Sequence, residues 1–344
     1  MIDMQRQEGQ GQQAGLQSLI AIVDERAVPF CHYDNPKFRR GRPRWMAIEV
    51  LKKTVRFAQE RRLRLLCLLG ASALPKSHAA ILRESGCAYM APLAVCARME
   101  GAIPVLEAKD AAAASRRRGG PIENGILRLG RKDMRRLGEI LGKLAGKFKR
   151  LNVCLLELGE YGEEDFEAYR GQLELVAGAV AGSQWPGGTE CNLVTDRPML
   201  GAMNNCDAGV KHITVCPQGR FYLCPGFYYW REAQDAGDLD RGLVIESPHL
   251  LTVEYAPICR RCDAFHCRRC LLLNKQLTEE INTPSRQQCV AAHIEREQSR
   301  RLLNLLGEAG RLKEAMPGTI PTLDYLEPFE VILKALREMK GSKK

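Results

Sequence analysis

The chain has 344 residues, of which 45% are hydrophobic and 27% charged, which is the composition of a soluble globular protein. No apolar run approaches the length needed to span a membrane. The net charge of +10 would attract nucleic acid, an anionic membrane or an acidic peptide. The basic residues are not gathered into one stripe, however, and few aromatic residues interleave with them. This distribution argues against a platform for single-stranded nucleic acid.

The first half of the chain alternates between strand and helix patterns. Residues 1–15 are polar, rich in Gln and Gly, and predicted as a disordered tail. After them, apolar spacing predicts a strand at 19–23, a helix at 45–61, a strand at 65–69, a short helix at 76–85 and a weaker segment at 88–95. Residues 111–120 end in SRRRGG and are predicted as an exposed loop.

The same alternation continues further along the chain. It predicts a strand at 126–129, a helical stripe from Met134 to Phe148, a strand at 152–158, a helical stripe from Phe166 to Val180 and a strand at 190–194. Alternating strands and helices favour a parallel sheet with helices packed on it. A hairpin is predicted over 206–229 with Gly219 at positive φ, then helices at 290–306 and 328–340 with a break at 317–321.

Eight of the 14 cysteines lie in residues 206–289, the Cys-rich segment. They are Cys206, Cys216, Cys224, Cys259, Cys262, Cys267, Cys270 and Cys289. So many thiols serve either disulfides or metal. The chain opens without a signal-peptide pattern and is long enough to build a core without staples, so disulfides are not expected. Spacing alone leaves zinc and iron–sulfur open, because CxxC pairs suit both.

The segment resembles a SPASM domain, the auxiliary iron–sulfur module of radical SAM peptide-modifying enzymes. Cys206, twelve residues, Gly219, four residues and Cys224 are similar to its opening, and a tight four-cysteine cluster with one distant cysteine follows. Two gaps inside the cluster are one residue shorter than in the commonest form. The runs LIAIVDERAVPFCHYDNP and INTPSRQQC, and the residues HIER at 293–296, resemble the CXXX repeat peptide maturases.

The resemblance implies an α/β fold, with a shortened radical-SAM-like partial (β/α) barrel followed by a small SPASM-like domain and C-terminal helices. The domains expected are the tail at 1–15, the degenerate radical-SAM-like domain at 16–200, the SPASM-like domain at 201–296 and a helical tail at 297–344. It implies two [4Fe–4S] clusters with interleaved ligands. Site one takes Cys206, Cys224 and Cys270 with Cys216 as the available fourth thiol, and site two takes Cys259, Cys262, Cys267 and Cys289.

The first half lacks the CxxxCxxC loop with which radical SAM enzymes hold their catalytic cluster, so no SAM is expected and whether the chain is itself an enzyme stays open. Its six cysteines stand alone, and Cys67 and Cys154 fall in apolar strands, where cysteine usually acts as a small hydrophobe. No Walker loop, GxSxG or HExxH occurs. Acidic residues at 157–165 follow a strand and are either a ligand site or charges at a helix N-terminus.

The leading hypothesis is therefore a cytoplasmic maturation protein for a ribosomally made Cys-repeat peptide, working with an active radical SAM partner and not with a membrane. The alternative is a zinc-ribbon interaction protein, whose basic surface could bind nucleic acid, although nucleic acid is not the expected partner. A third hypothesis is an enzyme with a divergent SAM site. Arginines 260, 261, 268 and 269 either offset the charge of anionic clusters or face water.

Overall fold

The strands predicted from the apolar runs assemble into one large sheet. The computed structural model describes residues 15–38, 40–99, 101–182, 185, 188–196, 200, 202–230, 234–308 and 339. The tail predicted at 1–15 and the helix predicted at 328–340 lie outside this range except for residues 15 and 339. Within the described part, the sheet strands are β1 (Ser18–Ile22), β2 (Arg64–Leu68), β3 (Ala88–Pro92), β4 (Ile103–Glu107), β5 (Ile122–Leu129), β6 (Phe148–Leu155), β7 (Glu190–Cys191), β8 (His212–Val215) and β9 (Phe221–Tyr222).

Helices follow most of these strands, as the alternating pattern predicted. They are α1 (Ile48–Glu60), α2 (Lys76–Glu84), α3 (Leu93–Cys96), α4 (Ala111–Ser115), α5 (Leu137–Leu144), α6 (Glu163–Ala181), α7 (Pro225–Tyr229), α8 (Leu271–Thr278) and α9 (Arg286–Glu308). Two very short strands, β10 (Gly237–Asp238) and β11 (Gly242–Leu243), form a separate hairpin. Among the described residues, no helix is both long enough and apolar enough to cross a bilayer.

The strand order is β7-β6-β5-β4-β3-β2-β1-β8-β9. Every neighbouring pair is parallel except β8 and β9, which are antiparallel. β8 adds to the free edge of β1, with Leu19 opposite Ile213, so the predicted hairpin extends the sheet instead of standing apart from it. The fold is a mixed α/β architecture built on a mostly parallel nine-stranded sheet, as the α/β prediction required.

Alternate residues of the strands point to opposite faces of the sheet. On β1, Leu19 and Ala21 join the buried cluster that contains α1 residues such as Leu51, whereas Ile20 and Ile22 belong to a different cluster on the other face. We call the second face the inner face. Cys67 is fully buried on the α1 side, which matches its predicted role as a small hydrophobe.

Several predictions needed correction. Residues 111–115 form α4 with Ala111 and Ala114 buried, because alanine favours helix, although residues 111–120 were predicted as an exposed loop. The predicted helical stripe ends before Phe148, which begins β6, because Gly146 has a φ of +74° that closes the turn. β4 was not predicted at all, and the strand predicted at 190–194 is reduced to two residues. The hairpin and the positive φ of Gly219, which is +83°, are confirmed.

Helix α9 packs on α6 and is fixed there by a buried polar contact. The Tyr169 hydroxyl donates a hydrogen bond of 2.7 Å to Glu295 Oε1, and Tyr169 is fully buried. The other carboxylate oxygen of Glu295 lies 2.8 Å from His266 Nε2 in the Cys-rich segment. A single carboxylate therefore joins α6, α9 and the Cys-rich segment.

We expect Tyr169→Phe to lower the free energy of unfolding by about 1–3 kcal/mol, because it leaves a buried carboxylate oxygen without its donor. Urea or thermal unfolding measures the change. Tyr255→Phe is the matched control, since Tyr255 is 53% exposed, and it should change stability by less than about 0.5 kcal/mol. Equal effects of the two substitutions would contradict this account of how α9 is held.

Candidate functional site

The inner face of the sheet is covered by the Cys-rich segment and α9, and a central cavity of about 370 Å³ lies between them. Apolar side chains from β1 to β3 line it, including Ile20, Leu66 and Met90. The later strands contribute amides from Asn124 and Asn152. The cysteines that line the cavity are Cys31, Cys154, Cys206, Cys224, Cys267 and Cys270.

Three predicted ligands of site one come together at this cavity. Burial raises the pKa of Cys206 and of Cys224 to about 12. The pKa of Cys270 is raised well above its usual range by burial and then by the charges of neighbouring thiols, those of Cys31, Cys206 and Cys224. Cys206 N–H donates to the carbonyl of Arg268 at 2.9 Å, which ties the start of the Cys-rich segment to its tight cluster.

The four predicted ligands of site two surround a second, smaller pocket of about 20 Å³. Burial raises the pKa of Cys267 well above its usual range, and the charges of Cys259, Cys289 and Cys262 raise it further. A turn brings the first pair together, because Cys262 N–H donates to the carbonyl of Cys259 at 3.0 Å. Cys289 arrives from α9, and His293 one turn later places Nε2 3.6 Å from Cys262 Sγ.

Cys216 lies elsewhere. It follows β8 directly, is fully buried and begins the turn to β9. Its backbone N–H donates a hydrogen bond of 2.9 Å to the carbonyl of Arg220. Burial raises the pKa of its thiol, and the remaining influences come from Gln218 and Arg220, with no cysteine among the main causes. The structure thus places seven of the eight predicted ligands in two groups, while Cys216 lies apart from them beside the turn of the hairpin.

A buried cation, Arg269, lies between the two thiol groups. It is 1% exposed, and burial lowers its pKa, while the charges of Cys259, Cys206 and Cys267 oppose this change. Its hydrogen-bond acceptors among the described residues are neutral: Asn205 Oδ1 at 3.0 Å, Asn282 Oδ1 at 2.6 Å and the carbonyl of Leu251. Arginines 260, 261 and 268 are exposed. Arg268 also lines the central cavity and its charge acts on Cys206, so facing water describes Arg260 and Arg261, and Arg268 and Arg269 lie beside the thiols.

Sequence reasoning missed a further group in which Cys31, His32 and Cys154 place their ligand atoms within 4.8 Å of one another. His32 Nδ1 lies 3.0 Å from the carbonyl of Leu155 and 3.4 Å from Cys154 Sγ. Cys154 was predicted to act as a core hydrophobe, but it lines the central cavity. Alternation along β6 carried the signal, since Asn152 and Cys154 are alternate residues on one face of the strand, while Val153 and Leu155 join the helix-side core.

The loop that carries Cys31 and His32 follows β1 and is held by buried side chains. Arg128 on β5 is 6% exposed and donates to the carbonyls of Cys31 at 3.3 Å and Tyr33 at 2.8 Å. Asn35 Nδ2 donates to the carbonyls of Ala27 at 2.8 Å and Glu25 at 3.1 Å. These bonds satisfy loop carbonyls that would otherwise be buried without partners, so the position of Cys31 is fixed from the sheet side.

An outer cleft of about 830 Å³ opens beyond the carboxyl ends of β4, β5 and β6. It is lined by charges of both signs, with Arg131, Lys132, Glu157, Glu160 and Asp165 among them. Glu163 and Glu164 instead lie in the first turn of α6. The acidic run at 157–165 therefore divides by position: Glu157 and Glu160 line the cleft, Glu163 and Glu164 lie at the start of α6, and Asp165 does both. His32 lines both the outer cleft and the central cavity, which makes it the boundary between them.

Comparison with known proteins gives little beyond this geometry. No protein-family model matches the chain, and no curated protein matches it. One solved structure, Streptococcus suis SuiB bound to precursor peptide SuiA, is similar at 11% identity with a TM-score of 0.46, over 78% of this chain and 75% of that chain. A likeness at this level does not identify a family.

Proposed function

We propose that this chain is a cluster-binding maturation protein for a ribosomally made Cys-repeat peptide, of the radical SAM/SPASM-like kind that its Cys-rich segment resembles. The observation that carries the proposal is the arrangement of the thiols. Residues separated by up to 64 positions in the sequence meet in two buried groups, Cys206 with Cys224 and Cys270, and Cys259 with Cys262, Cys267 and Cys289. A chain that only needed small hydrophobes would have no reason to gather its thiols in this way.

The donor sets fit two iron–sulfur clusters better than zinc ions. A tetrahedral zinc site holds its thiolates about 3.8 Å apart, since Zn–S bonds are about 2.3 Å. Among the described residues, the groups of three or more ligand atoms within 4.8 Å include Cys31, His32 and Cys154 but none formed by the predicted thiols alone. A four-iron cluster is wider than one ion and takes four thiolates, and the buried Arg269 offsets part of its negative charge. Such clusters transfer electrons or stabilise the fold.

The zinc alternative keeps one specific observation in its favour, the Cys31–His32–Cys154 group, whose atoms are close enough for a single ion. Metal analysis separates the two proposals. We expect anaerobically prepared protein to contain about eight iron and eight sulfide per chain and a broad visible absorbance, as two [4Fe–4S] clusters require. A colourless protein that holds zinc and no sulfide would replace the cluster proposal with the zinc one.

The chain alone should not cleave SAM reductively, because the loop after β1 offers Cys31 without the other two cysteines of a CxxxCxxC motif. We expect no 5′-deoxyadenosine above a no-protein control when the cluster-loaded chain is incubated with SAM and dithionite. An intact radical SAM enzyme in a parallel reaction shows that the assay works. Product formed by the chain itself would point to the third hypothesis, a divergent SAM site.

The outer cleft and the central cavity together are the proposed path for the peptide. α/β proteins bind ligands beyond the carboxyl ends of their strands, where the outer cleft lies, and His32 connects this cleft to the thiol-lined cavity. The net charge of +10 favours an acidic partner.

We expect binding of a synthetic acidic peptide with Cys-X-X-X repeats to weaken between low and physiological salt, where screening acts over about 8–10 Å. Lys132→Gln in the outer cleft should weaken binding at low salt by roughly two- to fivefold, the range of an exposed charge contact. Lys52→Gln is the matched control, since Lys52 is exposed on α1 and pairs with Glu49. Fluorescence anisotropy measures both, and equal affinities for the two variants would exclude the outer cleft as the charged contact surface.

A further inference from the structure

We propose that Cys31, in the loop after β1, is the fourth ligand of site one in place of Cys216. The inference rests on the proposed cluster and assigns one of its ligands. It makes the first cluster a bond between distant segments of the chain, because three thiolates come from the Cys-rich segment and one comes from the loop after β1.

Shared position is the first reason. Cys31 lines the central cavity together with Cys206, Cys224 and Cys270, whereas Cys216 is not among the residues that line it. Each of the three Cys-rich-segment thiols has Cys31 among the charges that act on it. Of the six cysteines at this cavity, Cys31 and Cys154 are the two that were not among the predicted ligands, so they are the candidates for the fourth position of site one.

The geometry of the hairpin is the second reason, because it separates Cys216 from the central cavity. Val215 pairs with Phe221, and Cys216 N–H donates to the carbonyl of Arg220 beside the turn. Cys216 is four residues further along the strand than His212, which is about 14 Å at 3.4 Å per residue. His212 and Cys224 both line the central cavity, and Cys216 is not among the residues that line it.

The loop geometry is the third reason, because a ligand must be held in place to contribute. Arg128 fixes the backbone on both sides of His32 through the carbonyls of Cys31 and Tyr33. The ligand atoms of Cys154 and His32 lie within 4.8 Å of that of Cys31, so these two side chains are the competing candidates for metal ligation in this region. Cys154 belongs to a rigid strand behind the loop, and its thiol lies against His32 at 3.4 Å, so it supports the loop from the sheet side.

The test compares iron and sulfide content, and EPR spectra, of Cys31→Ala, Cys216→Ala and Cys154→Ala with those of the wild type, all prepared anaerobically as the full chain. We expect Cys31→Ala either to lose about half of the iron or to show the signal of a three-iron cluster in its oxidised form, because one iron has lost its thiolate. Cys216→Ala and Cys154→Ala should keep wild-type iron, sulfide and spectra. Circular dichroism confirms that each variant is folded.

Wild-type iron in Cys31→Ala would overturn the inference, as would loss of half of the iron in Cys216→Ala or Cys154→Ala alone, and the proposed clusters would stand in both cases. A wild type without iron would overturn the proposed function itself. If Cys31→Ala does not fold, alkylation of the wild type followed by mass spectrometry decides the matter. Cys31 should be protected in the loaded protein and labelled after the clusters are removed, and equal labelling in both states would contradict ligation.

Discussion

The arrangement around the thiols depends on how the buried positive charge of Arg269 is balanced. Arg269 is almost completely removed from water, and its hydrogen bonds among the described residues go to two amides and a carbonyl, which satisfy its donors but not its charge. Asp207, which is itself paired with Lys211 at 2.6 Å, and the exposed Glu254 interact with it through their charges. Burial holds the surrounding thiols in the neutral form, and the clusters proposed above, whose ligands are thiolates, would add negative charge beside Arg269.

The same need for matched polar groups explains how the cover of the sheet is fastened. The inner face turns amides and thiols towards the cavity, so an apolar layer could not close over it without leaving polar atoms unpaired. The cover is attached through buried polar contacts instead. Glu295 accepts the Tyr169 hydroxyl and lies 2.8 Å from His266 Nε2, and Arg296 on α9 pairs with Asp263 at 2.7 Å with both side chains buried. Helix α9 also carries Cys289, a ligand of the proposed site two, while it rests on α6.

Local patterns predicted much of the fold, and distant pairing limited the rest. Clean apolar spacing predicted α1 and α6, and the turn chemistry of Gly219 predicted the hairpin. Spacing also marked the cysteines of the Cys-rich segment as ligand candidates. Nothing local indicated that Cys31 would meet thiols more than 170 residues away, because that contact depends on β8 adding to the edge of β1. Cys154 is buried in a strand, as predicted, but its place beside the cavity was not foreseen, since an apolar strand has two faces and sequence does not say what covers each one.

Cys31 and His32 are consecutive residues of the loop after β1, but they border different spaces. Cys31 turns to the thiol-lined cavity, while His32 borders the outer cleft as well. Arg128 holds the backbone of both neighbours of His32, so the loop cannot shift at one position without disturbing the other. If the first cluster is bonded to Cys31, a peptide that presses on His32 acts on a ligand of the cluster through a single peptide bond. Occupancy of the cleft and the state of the cluster are then coupled, and by thermodynamic reciprocity each alters the affinity for the other.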